Sequence, residues 1–152
     1  MKRDSQFKIV LTWILFMVYM CLLMYVVFFA ETMGRAEVAS GYKYNLTLFQ
    51  EINRYLKYLG RWDSIGRIAF FNIVGNVLIF VPFGLFLPIL TKGGMNVIFT
   101  TIVGFATSLA IEFTQLMSHV GCFDVDDLML NTIGAFLGSL IYLLIGAVRK
   151  RL

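Results

Sequence analysis

The sequence predicts an all-α, polytopic membrane protein: four transmembrane helices, plus an interfacial amphipathic helix in the first outer loop. Two observations carry that prediction. Of the 152 residues, 59% are hydrophobic and 14% charged, against roughly 45–50% and 25% in a soluble domain. The apolar residues, including 15 Phe, 7 Tyr and 2 Trp, come in long blocks and not in the alternating period of a membrane barrel. Four blocks reach the length of about 20 residues that crosses a bilayer, at 9–30, 68–90, 97–117 and 128–148. They leave room for one transmembrane domain over 1–152, with a loop at 31–67 and no second, soluble domain.

The first block is too long for the core of a signal peptide, and Phe28 with Ala30 does not make a paired small-residue cleavage site, so it is expected to remain as an anchor. The second carries Pro82 and Pro88, which remove backbone donors and kink a helix unless neighbouring helices compensate. The fourth carries Gly134-Ala-Phe-Leu-Gly138, the small-xxx-small spacing of close helix contacts.

Basic residues flank the blocks. Lys2, Arg3 and Lys8 precede the first, Lys92 lies between the second and third, and Arg149, Lys150 and Arg151 follow the fourth. Because Lys and Arg are retained on the cytoplasmic side, both termini are expected in the cytoplasm. The loop 31–67 holds six basic residues at lower density, and Ser118–Asp127 holds none, so both are expected outside. The net charge of +4 is thus distributed around spans and forms no basic groove with interleaved aromatics, which argues against nucleic-acid binding. Cys21 and Cys122 fall at depths that do not match, so no disulfide is expected.

Within the first loop, Leu48, Phe49, Ile52, Tyr55, Leu56 and Leu59 recur at helical spacing, with Gln50, Glu51, Asn53, Arg54 and Lys57 on the other side. This predicts an amphipathic helix capped by Asn45 or Thr47 and followed by Trp62. It lies either on the outer membrane surface or as a lid on the bundle.

Three polar stripes interrupt the apolar blocks. Asn72 and Asn76 share a helix face, as do Glu112 and Gln115, and Asp124, Asp127 and Asn131 follow an i, i+3, i+7 rhythm. Each stripe is expected within about two turns of the outer end of its helix. A charge such as Glu112 costs about 2.5–3.5 kcal/mol at the centre of a membrane helix, so it faces a bundle interior or a wet cavity. One reading makes these residues interhelical hydrogen bonds and helix caps. The other makes them an oxygen-rich pocket for Mg²⁺, Ca²⁺ or the cationic group of a ligand, with Glu112, Asp124 and Asp127 as candidate metal ligands or acid-base groups. Zinc is disfavoured because no Cys or His accompanies the acids. Ser108 and His119 complete no recognisable nucleophile, base and acid order.

The stretches Asn72-Ile-Val-Gly-Asn76-Val-Leu-Ile-Phe80-Val-Pro82-Phe-Gly84, Ser108-Leu-Ala-Ile-Glu112-Phe-Thr-Gln115 and Phe123-Asp124-Val-Asp-Asp127-Leu-Met-Leu-Asn131-Thr-Ile-Gly134 resemble the VanZ-like family of bacterial membrane proteins. Asn45-Leu46 to Phe49 looks like the short motif that the family places before its second span. Two departures stand out: Leu48 where many members have proline, and Gly121-Cys122 where many have an arginine. The resemblance implies a role in low-level resistance to glycopeptide antibiotics, above all lipid-bearing teicoplanin, in Gram-positive bacteria. It implies a phenotype and not a reaction. Three readings therefore stay open. The polar pocket engages a membrane lipid or a lipid-linked cell-wall precursor, or it is the centre of a membrane-embedded enzyme acting on a lipid-linked headgroup, or the chain is a transporter or flippase working as a homo-oligomer.

Overall fold

The computed structural model describes residues 2–34, 42–119 and 121–149, with 2–5 and 29–34 as backbone alone. Residues 35–41 of the predicted loop, and Lys150 and Arg151 of the topology signal, lie outside the described residues. Four helices are long and apolar enough to cross a membrane: Gln6–Phe28, Ser64–Leu90, Val97–Ser118 and Val125–Arg149. The chain is a multi-pass membrane protein.

The ends of the spans differ from the predicted ones because caps, not hydropathy, set them. Helix α1 runs from Lys2 to Gly34 and so extends past the apolar block 9–30 at both ends. The second span begins at Ser64 and not at 68, because the Asp63 side chain accepts a hydrogen bond from Gly66 N at 2.9 Å. That N–H, aided by the Arg61 guanidinium, holds the Asp63 carboxyl below its usual range. The fourth span begins at Val125, three residues before the predicted start, immediately after Asp124.

The second span is one continuous helix in three parts. Helix α3 (Ser64–Phe70) passes through a π turn (Phe71–Gly75) into α4 (Asn76–Leu90). Pro82 leaves the Leu78 carbonyl without its helical donor. On the next carbonyl, Ile79, the Tyr19 hydroxyl of α1 donates at 2.7 Å. The third span is α5 (Val97–Ser118), capped by Asn96, whose side chain accepts from Phe99 N at 2.8 Å. The fourth is α6 (Val125–Arg149).

Packing inside a bilayer has no hydrophobic driving force, so close backbone approach has to supply it. Helix α6 packs against α4 and α5, and α1 lies against α4. A Cβ on Gly134 would overlap the Val77 carbonyl oxygen, one on Gly138 the Val81 carbonyl, and one on Gly84 the Ala135 carbonyl. The small-xxx-small pair is therefore the α4–α6 contact. The core around it holds Leu23, Phe80, Phe83, Ile111 and Ala135, flanked by Phe16, Tyr19 and Met20 of α1. The Phe16 ring lies 6.3 Å from Phe83 and 5.8 Å from Phe86. Most other apolar side chains of α1, including Phe7, Trp13, Ile14 and Met17, are exposed, as suits a helix solvated by lipid.

The first loop departs from prediction. Tyr44–Asn45 (β1) pairs in parallel with Phe123–Asp124 (β2), a two-residue bridge within an otherwise helical fold. Helix α2 spans only Gln50–Leu56, so Leu48 and Phe49 precede it and Leu59 follows it. Neither Asn45 nor Thr47 caps it. The N-cap is Phe49 with φ 64, in the left-handed region, and Asn45 Oδ1 instead accepts from Thr47 N at 3.1 Å. Leu48, Phe49, Leu56 and Trp62 are exposed, whereas Ile52 and Tyr55 are half-buried. No disulfide joins Cys21 and Cys122.

Substituting Gly138→Ala should lower the thermal unfolding midpoint in detergent micelles by an overpacking cost of about 1–3 kcal/mol. Gly146→Ala, where an added Cβ meets nothing within 4 Å, should hold the midpoint or raise it, because Ala is the better helix former.

Candidate functional site

The polar residues gather where the first two turns of α6 meet the loop, α4 and the last two turns of α5. Asp124 is the cap of α6: its Oδ1 accepts from Asp126 N at 2.8 Å. The Asn45 side-chain amide reaches both oxygens of the same carboxylate, at 3.2 and 3.4 Å. The backbone N–H of Asp124 donates to Glu112 Oε2 at 2.9 Å, tying α5 to β2. Glu112 is 3% exposed and Asp126 1%.

Asp126 holds the loop. Its Oδ1 accepts from Phe49 N at 2.5 Å, and its Oδ2 accepts from Glu51 N at 2.8 Å and Ile52 N at 3.2 Å. These are the donors that the start of α2 leaves unsatisfied, so the cap comes from a residue 75 positions away in sequence. Asp127 Oδ1 accepts from Asn76 Nδ2 at 2.5 Å, joining α4 to α6. Asn131 Nδ2 donates to Ser108 Oγ at 2.9 Å, joining α6 to α5. Gln115 Nε2 donates to the Val27 carbonyl of α1 at 3.2 Å.

The three predicted stripes thus converge, but they do not form one pocket. A polar cleft of about 20 Å³, enough for a water or a single ion, is lined by Glu51, Ile52 and Tyr55 of α2, Asn72 and Ile73 of the π turn, and Asp124, Asp126, Asp127 and Leu130. Asn72, Asp124 and Asp127 of the predicted set line it, and Asn76 touches it through Asp127. Glu112, Gln115 and Asn131 are buried behind it, between helices. Asn72 also donates to the Ile68 carbonyl at 2.8 Å.

Asp126 and Asn45 were not among the predicted site residues. Asp126 falls off the i, i+3, i+7 rhythm, yet the run Asp124-Val-Asp126-Asp127 at a helix start carried the signal, since consecutive acids there must point in different directions.

The electrostatics follow from the donors. Backbone N–H groups, two side-chain amides and the positive end of the α6 dipole face the carboxylates. Among the described residues, no three His, Cys, Asp or Glu side chains form a metal-holding group. In particular, Glu112 meets Asp124 through the latter's backbone N–H. Ser108 Oγ is engaged by Asn131. His119 ends α5 at φ 55, exposed, with its ring 4.7 Å from that of Tyr42.

The sequence model of the VanZ/LLP1 family matches residues 16–146, which includes every residue of this cluster. This chain belongs to the VanZ/LLP1 family. It is 36% identical over 74 residues to Protein VanZ of Enterococcus faecium, a match covering 48% of this chain and 45% of that relative, so under half of the relative's length is represented. No solved structure matches.

In this VanZ/LLP1 chain the Asp126 clasp should be separable from the bundle. Asp126→Asn removes one acceptor and weakens charge-assisted bonds of about 1.5–3 kcal/mol each. Hydrogen exchange at the amides of Phe49, Glu51 and Ile52 should accelerate by about tenfold or more, with exchange in α4 and α6 unchanged. Equal acceleration throughout would mean that Asp126 supports the whole bundle.

Proposed function

We propose that this VanZ-like membrane protein lowers the action of lipid-bearing glycopeptide antibiotics such as teicoplanin. On this reading its polar end faces outward, both termini are cytoplasmic, and the cleft engages a membrane lipid or a lipid-linked cell-wall precursor. The observation that carries the reading is the juxtaposition at one end of the bundle. The acid-lined cleft is roofed by Glu51, Ile52 and Tyr55, and the segment that roofs it exposes Leu48, Phe49, Leu56 and Trp62 beside it. Carboxylates that accept hydrogen bonds suit an ammonium or N–H-bearing headgroup. Exposed leucines and aromatics suit the acyl chains and interface around that headgroup. The cleft has room for one such group and not for a whole antibiotic. Family membership supports the phenotype, because the matched relative is a Protein VanZ.

Wild type, Glu112→Gln and Asp127→Asn, expressed at matched membrane levels in a sensitive Gram-positive host, test this reading. Wild type should protect against teicoplanin more than against vancomycin, which lacks the acyl chain, and both variants should lose that protection. Equal protection against the two drugs, or unaltered protection by both variants, would sink the proposal.

Orientation has its own test. In a background with Cys21 and Cys122 replaced by alanine, Trp62→Cys should react with a membrane-impermeant maleimide added to intact cells. Gly93→Cys, in the turn at the other end of the bundle, should react only after permeabilisation.

A further inference from the structure

The interface between α5 and α6 is polar well beyond the cleft. Two contacts fix its antiparallel register: Ser108 bonds to Asn131, and one turn away a Cβ on Gly104 would overlap that of Ala135. One more turn at the same register places Thr100 opposite Ser139. Thr100 and Ser108 are 0% exposed, Ser139 2%, Gln115 3% and Asn131 4%. From Thr100 to Gln115 this seam runs about 22 Å at 1.5 Å per residue, most of the roughly 30 Å hydrocarbon thickness.

Three polar atoms on the seam have no hydrogen-bond partner among the described residues: Thr100 Oγ1, Gln115 Oε1 and Asn131 Oδ1. Buried polar groups seldom go unpaired, and where they do an internal water is the usual partner. Turning the Asn131 amide over merely exchanges the satisfied atom for the orphan one, and turning Gln115 over would set its oxygen against the Val27 carbonyl oxygen. Thr100 is telling by contrast. Thr12, Thr91, Thr101, Thr114 and Thr132 each donate to the carbonyl four residues back. Thr100, on the same type of helix, does not. Between the orphans lies a stretch without polar side chains. Ala135 is 0% exposed, wedged between Gly104 of α5 and Gly84 of α4, with no polar side chain in the contact.

We propose that the α5–α6 seam binds internal water in two compartments. One is formed by Ser108, Asn131 and Gln115 beside Glu112, and the other by Thr100 and Ser139. The Gly104–Ala135 contact is the plug that keeps them from joining into a transmembrane proton path. The ligand class is water and the protons that it carries. Each transfer along such a chain passes a proton from one hydroxyl or water to the next, so nothing is oxidised or consumed. Wild type is therefore closed to protons, and the plug is a single methyl-sized contact.

Two measurements on the full chain in liposomes test this. In water-edited solid-state NMR of wild type, magnetisation should reach Thr100, Ser108, Gln115 and Asn131 several-fold faster than it reaches Gly104 and Ala135. Build-up at Thr100 and Asn131 as slow as at Ala135 would overturn the water sites without any variant being made. With a trapped pH-sensitive dye and an imposed potential, wild type should leak protons no faster than empty liposomes. Ala135→Gly should leak faster, and Thr100→Val added to it should restore the barrier. An Ala135→Gly protein with wild-type helicity by circular dichroism but no added leak would overturn the plug.

Discussion

A bilayer offers no hydrogen bonds, so every polar group carried into it has to find a partner in the protein or in a water that the protein encloses. In this chain the cap and first two turns of α6 discharge most of that obligation. Asp124 takes Asn45, Asp126 takes the start of α2, Asp127 takes Asn76 of α4, and Asn131 takes Ser108 of α5. Four elements are thereby referred to one helix. The glycines make this geometrically possible: without Gly134 and Gly138 the backbones of α4 and α6 would stand apart, and a side chain as short as Asn76 would not reach Asp127.

How much of this was legible follows the same logic. The spans were readable because hydropathy over about 20 residues is a property of composition alone. Their ends were not, because Asp63 and Asp124 set them through local hydrogen bonds. The pairing of stripes was half readable. Helical periodicity placed Asn76, Glu112, Asp127 and Asn131 on inward faces, but which face meets which depends on the order of helices around the bundle. Asp126 was missed because its partners are backbone N–H groups, which every residue has and no sequence pattern marks. The amphipathic helix was read too long because apolar spacing continues through Leu59 after the helix ends at Leu56, the turn at 57–60 breaking it. The π turn at Phe71–Gly75 has no compositional signature at all.

The loop and the bundle differ in what holds them, and that difference shapes the site. The bundle is held by backbone contacts and aromatic packing along the length of four helices. The loop has no fully buried side chain in α2; it rests on the β1–β2 bridge, the Asn45–Asp124 pair and the Asp126 clasp. Against the clasp stands Phe49 in the left-handed region, a conformation that costs on the order of 1–3 kcal/mol for a residue with a side chain. A segment with so few buried contacts opens at a free energy well below that of global unfolding. Glu51, Ile52 and Tyr55 of α2 line the cleft together with Asn72, Asp124 and Asp127, so release of α2 from Asp126 would widen access to those three residues. The acid-lined wall is thus fixed by the membrane-embedded bundle, whereas the roof over it is a seven-residue helix held by the Asp126 clasp, the Asn45–Asp124 pair and the β1–β2 bridge. Under the proposed function, this division would keep the binding geometry rigid and leave the roof free to adapt to a headgroup.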